Sequence, residues 1–153
     1  MKKLARKIVI IGFVIFLLMQ LYQPARNKDN GQVLSSHITK MHPLPDSVNV
    51  IFESSCYDCH SNNTKYPWYS YIQPARFIME RHIRNGKKDL NFSEFGNYSR
   101  RQQESKLKSI SKQVKSGDMP LASYIFLHKN AKLTSRQKEA VIRWVDTTLK
   151  NYE

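Results

Sequence analysis

Apolar residues form one long block near the start of the chain and recur at helical spacing further along. Residues 8–22 read IVIIGFVIFLLMQLY, and the seven residues before them include four basic ones. Residues 23–45 have few apolar positions and several proline and asparagine residues, which is typical of a linker. The pattern therefore predicts an apolar anchor helix within residues 1–22, a linker over 23–45 and one folded domain over 46–153.

The first half of the predicted domain contains two segments with the apolar spacing of a helix. Asp46 can cap the first of them, which leads directly into the two cysteines of the chain. Pro74 precedes the second, residues 75–85, and Gly86 is a candidate stop for it. The apolar positions of the two segments are Val48, Ile51, Phe52, Phe77, Ile78 and Ile83.

The second half of the domain contains two further helical segments, each starting with a capping box. Ser99 pairs with Gln102 and Thr134 pairs with Gln137, and Gly117 is placed to end the first of these helices. Their apolar stripes consist of Leu107, Ile110, Val114, Val141, Trp144, Val145 and Leu149. Because the alternation typical of strands is missing, the sequence predicts an all-α fold.

The basic and apolar start of the chain is typical of an export signal. The apolar run suits the core of a signal peptide and is short for a membrane span of about 20 residues. No Ala-x-Ala cleavage site follows it, so we expect an uncleaved anchor, with a cleaved signal as the alternative. The basic flank stays inside. We therefore expect a single-pass inner-membrane protein whose domain lies in the periplasm.

The charge of the chain is strongly positive, with 25 lysine and arginine residues against 12 acidic ones and a net charge of +13. Such a surface suits an acidic protein partner or anionic lipid headgroups, although it also serves solubility alone. Because the basic residues are scattered and the domain is expected outside the cytoplasm, we do not expect nucleic acid as a partner.

The only two cysteines of the chain lie in the sequence Cys56-Tyr57-Asp58-Cys59-His60. On one helical turn, residues three apart share a face, so both thiols can add to the two vinyl groups of one porphyrin. The histidine that follows can bind the iron as its proximal ligand. This spacing is the attachment signature of a c-type haem, and it predicts one covalent haem c.

Cys-x-x-Cys also occurs in thiol redox proteins, in zinc sites and in short disulfides. A thioredoxin-like site would need a βαβ pattern, which we do not find. A zinc site would need His82 or His128 as a further ligand, at a spacing that fits no standard zinc module. A disulfide between Cys56 and Cys59 would close a very short loop and contribute little stability. Haem attachment is the interpretation that we favour.

Three stretches of the chain resemble a known family of single-haem haem-binding domain proteins from Bacteroidetes-type bacteria. They are CYDCHSNNTKYPWY from Cys56, then HIRNGK from His82 with LNFS from Leu90, and GDMPL from Gly117 with Tyr124 after it. The resemblance extends over the anchor, its exit and nearly all of the domain. It implies covalent haem binding on the exported side and a cytochrome-c-like helical fold, and it implies no particular reaction or partner.

Met119 is the leading candidate for the sixth iron ligand. It precedes a proline between two predicted helices, which resembles the methionine–proline loop of ordinary cytochromes c. A methionine that only packs beside the haem is the alternative. His82 is the main rival and His128 the next, whereas His37 and His42 lie in the predicted linker. An open sixth site remains a further alternative.

Electron transfer is the function that these residues favour. A haem with His60 and Met119 as axial ligands has no open position for a substrate, so we expect an electron carrier rather than an enzyme. The alternative is a peroxidase-like enzyme or a haem-based ligand sensor with an open sixth site. Redox partner proteins are expected but not identified. Trp68, Tyr69, Tyr71 and Arg76 are weaker candidates for contacts with the haem edge or its propionates.

Overall fold

The computed structural model describes residues 1–152, and all regular secondary structure within them is helical. The predicted all-α fold is confirmed, while the cytochrome-c-like arrangement stays a prediction. Residue 153, the end of the predicted domain, lies outside the described residues. The α-helices are α1 Lys2–Met19, α2 Ile38–Met41, α3 Asp46–Ser55, α4 Tyr57–His60, α5 Ala75–Asp89, α6 Arg100–Ser116, α7 Ala122–Leu127 and α8 Ser135–Leu149. Short 3-10 helices span Trp68–Tyr71, Phe92–Asn97, Lys129–Ala131 and Lys150–Tyr152.

The apolar run near the start of the chain forms α1, and none of its residues is buried. Within residues 1–152, no helix combines the length and the apolar character that crossing a membrane requires. The predicted anchor is therefore present as a helix but is not found as a membrane span. Four of the first seven residues are basic, which shortens the apolar part of α1.

The segment that the sequence predicts as a linker lies against the helical domain. The Asn27 side chain donates to the carbonyl oxygen of Ser61 at 2.7 Å, and the Asn27 carbonyl accepts from the backbone N–H of Thr64 at 3.0 Å. Ile38, the first residue of α2, is fully buried in the core. The packed unit thus begins well before residue 46. The sequence does not predict this, because Ile38 is an isolated apolar residue.

The core of the domain is a cluster of aromatic and aliphatic side chains between α3, α6, α8 and the 3-10 helix Phe92–Asn97. Phe52 is fully buried, and its ring lies 5.0 Å from that of Phe92 and 5.5 Å from that of Trp144. The Trp144 indole N–H donates to the Pro43 carbonyl at 3.1 Å, which satisfies its one polar group. This core holds the end of α3 in place, and the cysteines follow directly.

Most of the predicted helix ends are confirmed. Both capping boxes are formed, at Ser99 and at Thr134, and Gly117 ends α6 in the left-handed conformation with φ of 82°. Asp46 is the first residue of α3 rather than its cap. Gly86 was expected to stop α5, and this prediction is wrong because α5 continues through it to Asp89.

Candidate functional site

A single tight turn brings the two cysteines and the histidine of the motif together. Cys56 joins α3 to α4, and its carbonyl accepts hydrogen bonds from the backbone N–H groups of Cys59 and His60, at 3.2 and 3.0 Å. All three side chains line one cavity of about 160 Å³. The two cysteines and the histidine therefore share one cavity, while haem attachment stays a prediction.

The imidazole of His60 is held in one orientation by the backbone. Its Nδ1 lies 3.0 Å from the carbonyl oxygen of Leu90, and since a carbonyl can only accept, Nδ1 carries the proton. Phe92 packs edge-on against the same ring at 6.3 Å. The other nitrogen, Nε2, is thus deprotonated in the neutral ring and available to a metal, which is the usual arrangement of an iron-binding histidine.

Helix α5 packs directly on the motif through Gly86. A Cβ atom at this position would lie 2.6 Å from the carbonyl oxygen of Cys59 and 3.3 Å from its Cβ. Any side chain would therefore force the two helices apart. This contact explains why a glycine lies within α5 and does not end it.

Replacing Gly86 by alanine should reduce both stability and haem content. Alanine is the better helix former by about 1 kcal/mol, but the clash with the Cys59 backbone should cost about 1–3 kcal/mol and displace α4. Thermal unfolding and the ratio of haem to protein would measure the effect, with Lys88→Ala on the exposed side of α5 as the control. A Gly86→Ala protein that is more stable than the parent and fully loaded would contradict this account.

The environment of the thiols does not resemble that of redox-active cysteines. Burial raises the pKa of the Cys56 thiol to about 12 and that of Cys59 to about 11, with the neighbouring thiol and Asp58 adding to the shifts. Reactive cysteines in thiol redox proteins instead have a pKa below the usual value. Cys56 and Cys59 are free thiols and form no disulfide.

The described residues contain no group of three or more His, Cys, Asp or Glu side chains arranged to hold a metal ion. His128 was a candidate partner for such a site, and both of its ring nitrogens have hydrogen-bond partners. Nε2 lies 3.2 Å from the Tyr69 hydroxyl and Nδ1 lies 3.1 Å from the carbonyl oxygen of Tyr124.

Met119 lies on the connection between α6 and α7 and lines the same cavity as the motif. Its backbone N–H donates to the Gln113 carbonyl at 3.2 Å, which holds the connection against the end of α6. It also lines an adjoining cavity of about 350 Å³ together with Cys56 and His60. The structure thus brings the predicted distal ligand to the motif from 59 residues further along the chain.

Of the histidines considered as the sixth iron ligand, only some lie beside the motif. His82, on α5, lines the motif cavity as Met119 does, so the structure places both beside the cysteines. The Nδ1 of His37 bonds to Thr39, and the Nε2 of His42 bonds to the hydroxyl of Tyr152. Neither His37 nor His42 lines the motif cavity.

A third cavity, of about 210 Å³, adjoins the site on the side of Cys59. Tyr69 and His128 line it, together with Met79, a thioether that the sequence analysis did not consider. Tyr124 forms the wall between this cavity and the motif, and its hydroxyl donates to Asp58 at 2.7 Å. Burial, with the hydrogen bond to Asp58, raises the pKa of Tyr124, so its hydroxyl stays protonated.

The other weak candidates for haem contacts lie away from the cavities. The guanidinium of Arg76 donates to the Gln23 side chain and the Pro24 carbonyl, so it holds the segment after α1 rather than facing the site. Trp68 and Tyr71 are 76% and 54% exposed and line none of the three cavities.

Taken together, the donor set fits a porphyrin bound through two thioethers. Two thiols face one cavity, an imidazole beside them has a fixed tautomer with Nε2 available, and cavities continue on both sides of the turn. The sequence does not predict Leu90 and Gly86 as site residues. The HIRNGK and LNFS stretches that contain them carry the family resemblance, but they do not indicate which contacts these two residues make.

Comparison with known proteins gives one match. The model of the family described as "Haem-binding domain" matches residues 14–147, which is most of the chain. Neither the curated proteins nor the solved structures contain a match.

Proposed function

The chain belongs to the haem-binding domain family, and from this premise we propose that it is a monohaem c-type cytochrome that transfers electrons. Cys56 and Cys59 would hold the haem through thioether bonds, and His60 and Met119 would bind its iron. When bound, the haem supplies an iron that changes between the ferrous and ferric states.

The observation that carries this proposal is the hydrogen bond from His60 Nδ1 to the Leu90 carbonyl, beside two thiols on the same cavity. The bond fixes the tautomer with the proton on Nδ1, so that Nε2 of the neutral ring is the nitrogen that faces a metal, and it makes the imidazole a better electron donor to that metal. Because Leu90 follows α5 directly and Gly86 presses α5 against Cys59, the same helix positions both the ligand and the thioether turn.

Met119 completes the proposal because it supplies a neutral thioether from the connection between α6 and α7, on the same cavities as Cys56 and His60. A neutral sulfur ligand favours ferrous iron more than a second imidazole would, which raises the reduction potential. Met119 on the iron would also exclude water and small ligands. With His60 and Met119 both bound to it, the iron would exchange electrons and offer no site for a substrate.

Visible absorption spectra of the haem-loaded protein test the function. The reduced spectrum should show the sharp bands of a six-coordinate c-type haem, and the native ferrous protein should not bind carbon monoxide. Rapid binding of carbon monoxide without loss of the fold would contradict the electron-carrier proposal. It would favour the peroxidase-like enzyme or ligand sensor.

We also propose that α1 attaches the protein to the inner membrane, with the haem domain in the periplasm. The support is that all apolar side chains of α1 are exposed. A net charge of +13 further favours acidic redox partners or anionic lipid at the surface.

The full chain should fractionate with membranes and resist extraction by alkaline carbonate. Its haem domain should be accessible to protease from the periplasmic side. Replacing residues 1–19 by a cleavable export signal should shift the protein to the soluble periplasmic fraction, because the exposed apolar surface of α1 is lost, while its haem spectrum stays unchanged. A full-length chain found only in the soluble fraction would contradict the attachment.

A further inference from the structure

Five large side chains lie exposed around the end of α1, and we propose that this surface, the aromatic face, rests on a phospholipid membrane. The inference rests on the proposed attachment through α1 and adds a second contact, made by the haem domain itself. The aromatic face consists of Tyr22, Trp68, Tyr71, Ile72 and Phe77.

The aromatic face lies outside the three cavities at the motif. Exposed apolar residues such as Ile78 and Leu127 line the cavity beside Cys59, so a bound porphyrin accounts for them. None of the five residues of the aromatic face lines that cavity or either of the two cavities beside His60. Their exposed fractions, from 43% for Ile72 to 76% for Trp68, are therefore not explained by these cavities.

Hydrogen bonds connect the aromatic face to the end of α1 through Gln73, which is 2% exposed. Its backbone N–H donates to the Gln20 side chain at 3.0 Å, and its side-chain amide donates to the Tyr22 carbonyl at 2.6 Å. The Tyr22 ring then lies 6.4 Å from that of Phe77. The end of α1 and the aromatic face are therefore adjacent and joined by these contacts.

The other residues of the aromatic face, Trp68, Tyr71 and Ile72, lie on one short segment of the chain. Trp68 and Tyr71 are the first and last residues of a 3-10 helix, in which positions three apart lie on one side. Ile72 follows in an extended conformation, and the buried Gln73 comes next. Tryptophan and tyrosine together are typical of proteins at the boundary between lipid tails and headgroups.

The charge at the edge of the aromatic face fits anionic headgroups. The guanidinium of Arg26 lies 4.1 Å from the centre of the Tyr71 ring and donates to the Tyr71 hydroxyl at 3.0 Å. Lys28 lies 5.9 Å from the ring of Tyr66. Two cations held on aromatic rings can bind lipid phosphates. A second copy of this strongly basic chain would be repelled instead.

The two tryptophans of the chain allow a direct measurement. Trp68 is 76% exposed on the aromatic face, and Trp144 is 7% exposed in the core. The haem-loaded full chain would be reconstituted into vesicles of zwitterionic and anionic phospholipid, with or without bromine on the acyl chains near the headgroup. Fluorescence in brominated vesicles, divided by that in unbrominated ones, removes the constant quenching by haem.

We expect brominated lipid to quench the fluorescence of the parent, and Trp68→Phe to lose this quenching because Trp144 is shielded. Ile72→Asp combined with Phe77→Asp should lose most of the quenching while the protein still floats with the vesicles through α1. Val50→Asp, at an exposed position on α3, is the matched control and should behave as the parent.

Three results would overturn the inference. Equal quenching in the parent and in Trp68→Phe would show that Trp68 does not contact lipid. Parent-like quenching in the double aspartate variant would show that Ile72 and Phe77 play no part. Flotation without any bromine quenching would leave the attachment through α1 intact and refute the aromatic face alone, whereas a chain that does not float would refute both.

Discussion

A chain with serine in place of both Cys56 and Cys59 should contain no covalently bound haem. Serine keeps the size of the side chain but cannot form a thioether, and the structure places no other thiol near the cavity, since the chain has two cysteines. After expression in a host with c-type haem maturation, acid-acetone should extract all haem from the double variant and none from the parent.

The single substitutions test each of the two thioether bonds separately. Cys56→Ser and Cys59→Ser should each keep haem through one thioether, with the reduced absorption band shifted to longer wavelength because one vinyl group stays conjugated. Ser54→Ala, an exposed neighbour on α3, is the control and should retain haem as the parent does. Complete extraction of haem from the parent by acid-acetone would contradict thioether attachment, whatever the behaviour of the variants.

Local sequence patterns predict those parts of the fold and the site that depend only on residues close together in the chain. The capping boxes at Ser99 and Thr134 formed as predicted because each is complete within four residues. The Cys-x-x-Cys-His turn placed its side chains together for the same reason. Local features, the proline after it and the helices on either side, also favour Met119 as a ligand, and that role stays a prediction.

The contacts that position the motif were not predictable, because each joins segments far apart in sequence. The Leu90 carbonyl reaches His60 across 30 residues, and nothing in a leucine indicates that its backbone will accept a hydrogen bond. Gly86 was misinterpreted because a glycine near a helix end usually marks a stop, whereas here it allows close approach to Cys59. The contacts of residues 23–45 were missed because mainly polar groups make them, as Asn27 does.

Replacing Met119 by alanine should change the haem spectrum and the potential more than any other single substitution on the distal side. Thioether ligation of ferric haem gives a weak charge-transfer band at the far-red end of the visible spectrum, and this band should disappear. The reduction potential should fall because ferrous iron loses its preferred ligand. The opened sixth position should then bind carbon monoxide in the ferrous state, which the parent should not.

Two variants make this test specific, because Met79 and His82 also line cavities at the motif. Met79→Ala is the matched control: it removes a thioether beside Cys59, and the far-red band should stay if Met119 is the ligand. His82→Ala should likewise leave the band and the potential close to those of the parent. Loss of the band in Met79→Ala alone would transfer the ligand role to Met79. An unchanged Met119→Ala spectrum together with a changed His82→Ala spectrum would indicate an iron with two histidine ligands, and electron transfer would then proceed at a lower potential.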